Sequence, residues 1–434
     1  MFRYKFLILF AFVFSGAVAG SGLCVMNNPE NNVSKTDFHK DSQIVYHVVM
    51  YGQSLMLGAK SVPVISTKPA YQTLMFSGGI RSGYDIGSGN FYESLVPLVE
   101  KEVRSRGSGG KLGETPASGF SEEFVKLLKN RWPQYLLLSS PAEGSTGIAS
   151  LTEPGIFWER FKTDIIEANR LVKASGKVYN VPVILWNQGE KDIDRKTFAD
   201  TYKNSMKLFQ QKADEFIKSV TGQKNTVKIL MYQTVSHNVR KAEGNPEIAN
   251  AQYELAKTEA NITMSNTTYQ LPYADDNVHL SNIGSKWNGA SHAVAAKSLL
   301  IDQADWRPVH VKGISSSKNV IALDFHVPVP PLTFDEQAVS NPGNYGFRVF
   351  NKSGKEIKIK NVSLRKGTSV QITIESNVNK GDYVWYGNNG SGTGAQNGAR
   401  GNLRDAQGNN CTIEISGKTI RLDNWCPIFR EQIN

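Results

Sequence analysis

Cysteine is scarce in this 434-residue chain, which holds three: Cys24, Cys411 and Cys426. That excludes a small scaffold stapled by disulfides. There is no Cys-x-x-Cys and no His-x-x-x-His pair among seven scattered histidines, so the spacing that zinc sites use is missing too. Basic runs interleaved with aromatics are absent, and the excess of 49 Lys and Arg over 39 Asp and Glu therefore does not read as a nucleic-acid-binding surface. No stretch is apolar over the ~20 residues that cross a bilayer, and no segment repeats. What is present, 40% hydrophobic and 20% charged residues, is a globular composition long enough for two or three domains.

Arg3 and Lys5 precede an apolar stretch over residues 6–14, and Ala17-Val18-Ala19 follows. This three-part pattern predicts a signal peptide over residues 1–19, and hence a secreted, periplasmic or cell-surface protein. Cleavage after Ala19 lowers the formal charge from +10 to +8 by removing Arg3 and Lys5, an excess that favours anionic partners in general. Residues 20–42 read as a polar leader. In an oxidising compartment Cys411 and Cys426, flanking a strand-like run over 412–422, are placed to close a hairpin, which leaves Cys24 odd. A lipid anchor on Cys24 fits poorly, because Leu23 stands where a small residue is usual.

Residues 44–50 form a β-branched apolar run that ends in Tyr51-Gly52-Gln53-Ser54. Further buried strands are predicted over 135–139, 181–186 and 227–233, with helices over 121–130, 157–174, 195–219, 246–260 and 282–300. Strands alternating with helices predict an α/β fold, a three-layer α/β/α sandwich around a parallel sheet, over residues 43–305. In such sheets ligands sit beyond the carboxyl ends of the strands. From Trp306 the texture changes to short alternating runs over 320–325, 345–349, 357–362, 370–374, 383–386 and 412–415, which predict a small C-terminal all-β domain, a sandwich, over 306–434. The Gly- and Asn-rich stretch 387–402 reads as a flexible hairpin tip, since turns need those residues.

Three strand ends and loops carry chemistry. Ser54 follows the first strand, where an exposed hydroxyl suits a nucleophile, although Met56 breaks the Gly-x-Ser-x-Gly elbow. The third strand ends in Trp186-Asn187-Gln188-Gly189-Glu190-Lys191-Asp192, where a side-chain amide is placed to donate to an oxyanion. Before the last helix stands Asp275-Asp276-Asn277-Val278-His279-Leu280-Ser281, in which an Asp three residues ahead of a His orients its imidazole. Each piece alone has a plain structural reading: a turn cap for Ser54, loop hydrogen bonding for Gln188 and Glu190, a helix cap for Ser281. Asp275, Asp276 and His279 carry metal-binding groups, but the chemistry calls for no metal and no organic cofactor. His237, after the fourth strand, lies where it would line a pocket or serve as a polar loop residue.

Taken together, in this order, the three pieces resemble the SGNH hydrolase superfamily and, within it, the branch of sialate O-acetylesterases and acetyl xylan esterases. That branch has a Gly-Gln-Ser start, a Trp-x-Gln-Gly-Glu segment and a terminal Asp-x-x-His, all present here between residues 43 and 300. The resemblance implies Ser54 as nucleophile, His279 as general base, Asp276 as its partner, and an oxyanion hole from the N–H groups of Ser54 and Gly144 with the Gln188 amide. Gly147 and Gly119 are the other candidates for the glycine. Gln53, Glu190 and His237 are expected to bind substrate. Leu55 departs from the Asn that many relatives have after the serine. The implied activity is an exported serine esterase removing O-acetyl groups from a carbohydrate, sialic acid or a polysaccharide, with no nucleic-acid partner and no membrane span. Two other readings stay open: a surface or virion-associated glycan-binding protein with a degenerate esterase domain, and a lipase-like esterase.

Overall fold

A computed structural model describes residues 44–69, 73–84, 90–106, 110–128, 135–240 and 244–434; the expected signal peptide, the leader and Cys24 lie outside the described residues. Along the first part of the chain run β1 (Ile44–Gly52), β2 (Thr73–Phe76), β3 (Leu95–Pro97), a small hairpin of β4 (Val103–Arg104) and β5 (Lys111–Leu112), α1 (Pro116–Leu127), β6 (Tyr135–Ser139), α2 (Ile148–Thr152) and α3 (Ile156–Ala174). Then follow β7 (Val178–Asn187), α4 (Glu190–Arg195), α5 (Ala199–Thr221), β8 (Lys228–Gln233), α6 (Glu247–Thr258), β9 (Ile262–Thr267) and α7 (Asn282–Leu300). Seven strands make one sheet in the order β3-β2-β6-β1-β7-β8-β9. All pair in parallel except β3, which is antiparallel to β2.

The apolar run of β1 is what a central strand covered on both faces requires. Val45, Val49 and Tyr51 join the core beneath α3, α5 and α6, whereas Tyr46, Val48 and Met50 join the core beneath α1 and α7. The result is the expected three-layer sandwich. Because β6 and β2 lie on one side of β1 and β7 to β9 on the other, the carboxyl end of β1 opens at the point where strand order reverses, the place where such sheets bind ligands.

α1 begins five residues before the predicted start, because Thr115 caps it, accepting from the Ala117 N–H, and Pro116 takes the first turn. Two glycines let α1 and α7 meet at backbone distance. A Cβ on Gly119 would lie 1.8 Å from the Lys286 carbonyl oxygen, and one on Gly289 1.9 Å from that of Pro116. Gly119 is thus a packing residue, not part of an oxyanion hole.

Residues from His310 onward build two four-stranded antiparallel sheets. One orders His310–Ser317, Val320–His326, Ser369–Ile374 and Ile359–Arg365; the other orders Glu356–Ile357, Phe347–Phe350, Tyr383–Tyr386 and Phe429–Gln432. Val349, Ile372, Val384 and Phe429 fill the core between them. This second unit is not self-contained. The hairpin of Thr412–Ile415 and Lys418–Arg421 buries Ile413, Ile415 and Leu422 in the α1/α7 core, and Tyr253 of α6 reaches the other way, into the sandwich. The expected Cys411–Cys426 bridge is not formed: Cys426 is a buried free thiol, and Cys411 is disulfide-bonded elsewhere. The hairpin carries Cys411 into the first domain's core while Cys426 stays in the sandwich core, which separates the two. Among the described residues no helix is long and apolar enough to cross a membrane.

Candidate active site

The site begins where β1 leaves the sheet. Gly52 has φ +144°, and a Cβ there would stand 2.2 Å from the Asn187 carbonyl oxygen, so only glycine lets β1 end this close to β7. The Gln53 N–H then donates to Asn187 O at 2.9 Å, and the chain reverses, with the Met56 N–H on Gln53 O at 2.8 Å and the Leu57 N–H on Ser54 O at 3.1 Å. Buried Arg81 donates from Nε to Leu57 O at 2.8 Å and holds this turn from below. Ser54 is left half-buried at its head.

The partner residues come from a second tight turn ahead of α7. The Ala274 N–H donates to His279 O at 2.8 Å and the Asn277 N–H to Ala274 O at 3.1 Å, with Asn277 at φ +56°. Folding back this sharply sets the Asp276 carboxylate against His279: Oδ2 is 2.6 Å from Nδ1, and Oδ1 accepts from the N–H groups of Val278 at 3.0 Å and His279 at 2.9 Å. The other ring nitrogen, Nε2, lies 2.7 Å from Ser54 Oγ. Partial burial opposes ionisation of Asp276, but hydrogen bonds from the His279 ring and backbone outweigh it and hold the carboxyl well below the usual range.

Gly144 flanks the serine; a Cβ built on it would come 3.9 Å from Ser54 Cβ. The Tyr84 hydroxyl lies 4.0 Å from that same Cβ position and donates to Glu143, and Arg160 Nη1 pairs with the other Glu143 oxygen at 2.8 Å. Burial, with the hydrogen bond and charge of Glu143, pushes the Tyr84 phenol up to about 12. Gly147 instead caps α2 against Arg195.

Three expected residues are engaged elsewhere, and a fourth, His237, is buried. Gln188 is fully buried, and its amide donates to Thr146 O at 3.3 Å and to Asp192, so both its N–H groups are held away from an oxyanion. Gln53, 2% exposed, accepts at Oε1 from the Lys191 N–H at 3.2 Å and so ties the serine turn to the loop after β7 rather than facing substrate. Glu190 accepts from the hydroxyls of Tyr232 and Thr234, each at 2.7 Å, which fixes α4 on β8. His237 is fully buried, with no hydrogen-bond partner on either ring nitrogen among the described residues, and burial pulls its pKa down to about 4. The roles of Tyr84 and Arg160 were not legible in the sequence, because they reach Glu143, next to Gly144, only when the sheet forms. Among the described residues no group of three or more His, Cys, Asp or Glu is placed to hold a metal.

A hydroxyl bonded to an imidazole that is bonded to a carboxylate is the arrangement that activates a serine for acyl transfer. The carboxyl ends of β1, β6 and β7 and the turn before α7 converge on it. By fold, the chain is similar to a carbohydrate acetylesterase from Xanthomonas citri, 14% identical, with 90% of this chain and 80% of that one covered and a TM-score of 0.54. A protein from Arabidopsis thaliana, 19% identical, aligns with 59% of this chain and 98% of its own at a TM-score of 0.44. A comparison with curated protein sequences finds no significant match. Residues 48–298, more than half the chain, match the family described as carbohydrate esterase, sialic acid-specific acetylesterase. The chain belongs to that family, and is an esterase of the carbohydrate acetylesterase class.

Proposed function

We propose that the protein is an exported serine esterase that removes O-acetyl groups from a carbohydrate, sialic acid or a polysaccharide, through Ser54, His279 and Asp276. The observation that carries this reading is the unbroken chain from Ser54 Oγ through both His279 nitrogens to Asp276, with contacts of 2.7 Å and 2.6 Å. His279 Nε2 takes the proton as Ser54 Oγ bonds to the ester carbonyl carbon. The carbonyl oxygen becomes an oxyanion facing the N–H groups of Ser54 and Gly144. The sugar oxygen leaves with the proton from His279, and an acetyl-enzyme remains. Water, deprotonated by the same His279, then releases acetate and restores Ser54. Asp276 holds the imidazole with Nδ1 protonated and stabilises the imidazolium that forms.

The expectation of export rests on the charged, apolar and small-residue pattern of residues 1–19. Acetate release from O-acetylated sialic acid, acetylated xylan and acetylated peptidoglycan, measured for the wild type and Ser54→Ala, tests the reading. We expect release from at least one substrate, and a loss of about three orders of magnitude or more in the variant. Glycan binding without any acetate release, or a variant keeping more than about a tenth of the activity, would overturn it.

A further inference from the structure

The Gly- and Asn-rich stretch 387–402, expected to be a loose hairpin tip, is a built element. Asn389 bridges its two ends, donating from Nδ2 to Arg400 O at 2.7 Å and accepting at Oδ1 from the Arg400 N–H at 3.3 Å. Inside it the N–H groups of Ser391 and Gly392 both reach Asn397 O at 3.0 Å. Gly390 packs on Gly398 so closely that a Cβ would lie 2.3 Å from that carbonyl oxygen. The loop is therefore held in one shape by its own bonds.

It is also docked on the catalytic domain at two places. Asn238, after β8, donates from Nδ2 to Asn389 O at 2.7 Å. At the other contact Thr393, 8% exposed, donates from Oγ1 to the Asn277 carbonyl oxygen at 2.8 Å, and Gly394 lies against the Tyr273 ring. Asn277 is the tip of the turn between Asp276 and His279. That turn is largely exposed and closes on itself through Ala274, Asn277 and His279, with a left-handed residue at its tip. Among the described residues, Thr393 brings to this tip a hydrogen bond from the second domain.

We propose that Thr393 is a positioning residue of the esterase: the second domain completes the active site by clamping the Asp276–His279 turn through Asn277. This rests on the triad reading above. A turn free to tilt changes the 2.7 Å and 2.6 Å contacts that His279 makes on either side, and displacements near 1 Å at reacting groups cost about a hundredfold in rate. Because Thr393 acts through the turn and touches no substrate, its loss lowers turnover and leaves substrate affinity in place.

Thr393 has an extended backbone, φ −129° and ψ 168°, which valine adopts without strain, so Thr393→Val keeps shape and removes only the hydroxyl. On a small acetyl ester we expect kcat to fall about tenfold or more with KM within about twofold, and Thr393→Ser, which keeps the donor, to stay within about twofold of wild type. Asn389→Ala, which unties the loop ends, should lower kcat in the same way. Three results would overturn the proposal: wild-type kcat in Thr393→Val, a rise in KM with kcat held, or equal loss in the Val and Ser variants. Ser54→Ala, run beside them, separates the two readings. If it is inactive while Thr393→Val is normal, only the clamp fails; if it is active, the triad reading fails and the clamp with it.

Discussion

At Asp276 a single side chain does three things: it accepts two backbone N–H groups, closes the turn, and holds one imidazole nitrogen. Asp276→Asn keeps the size but offers an N–H where an acceptor is needed, so His279 takes the wrong tautomer or loses its partner. We expect kcat to fall about 10³- to 10⁴-fold with little change in KM on a small acetyl ester. Neighbouring Asp275 is exposed, and if Asp275→Asn, or a change at Glu190, proves the more damaging, the acid has been misassigned. Residue types and order in the sequence pointed to Ser54, Asp276 and His279, because a strand end and an Asp-x-x-His spacing are local signals. They did not separate these from Gln53, Gln188 and Glu190, whose side chains turn into loop and strand contacts formed by residues far along the chain.

Among the elements, the α1–α7 crossing depends on glycine in a way helix propensity alone would misjudge. Propensity favours alanine over glycine in a helix by about 1 kcal/mol. At Gly289, however, the added methyl meets the Pro116 carbonyl at 1.9 Å, and overpacking of this kind costs about 1 to 3 kcal/mol, at the upper end against rigid backbone. Gly289→Ala should therefore destabilise by about 1 to 2 kcal/mol net, seen as a lower urea midpoint; an unchanged or higher midpoint would contradict the close crossing. The helix over 282–300 was readable because apolar and small residues repeat at helical spacing behind a Ser cap. By contrast β9 escaped notice: Ile-Thr-Met-Ser-Asn-Thr is buried throughout, yet four of its six residues are polar, its Ser265 and Asn266 satisfied by His292 at 2.9 Å and Asn288 at 3.1 Å. Only the presence of α7 makes that strand reasonable. The 387–402 loop looked slack for a related reason, since its order comes from hydrogen bonds between its own two ends and from two contacts with the other domain.

For the whole molecule, buried ionisable groups set opposing responses to pH. Burial lowers His47 and His292 to about 3 and His237 to about 4, from 6.5. Below 6.5 the unfolded chain binds protons these histidines refuse, so stability falls as pH falls. Burial raises Glu100 to about 8, Glu123 to about 7, and Asp164 and Asp405 to about 6. Above about 4.5 the unfolded carboxyls ionise while the folded ones stay protonated, so stability falls as pH rises, until about pH 8. The two trends cancel between them. Calorimetry should give a plateau of Tm from about pH 4.5 to 6.5 with a decline on either side, and a Tm still climbing from pH 6.5 to 8 would show that these carboxyls are ionised in the fold. The hairpin of Thr412–Ile415 and Lys418–Arg421 bears on time as well as space. The esterase domain's α1/α7 core takes in Ile413, Ile415 and Leu422, yet α7 ends at Leu300. At about 5 to 20 residues per second, a ribosome that has finished α7 needs roughly 6 to 24 seconds more before the last wall of that core emerges. Throughout that interval the nascent esterase domain presents an open apolar face, which makes it a client for whatever holds unfinished chains, and ties its maturation to the arrival of the part synthesised last.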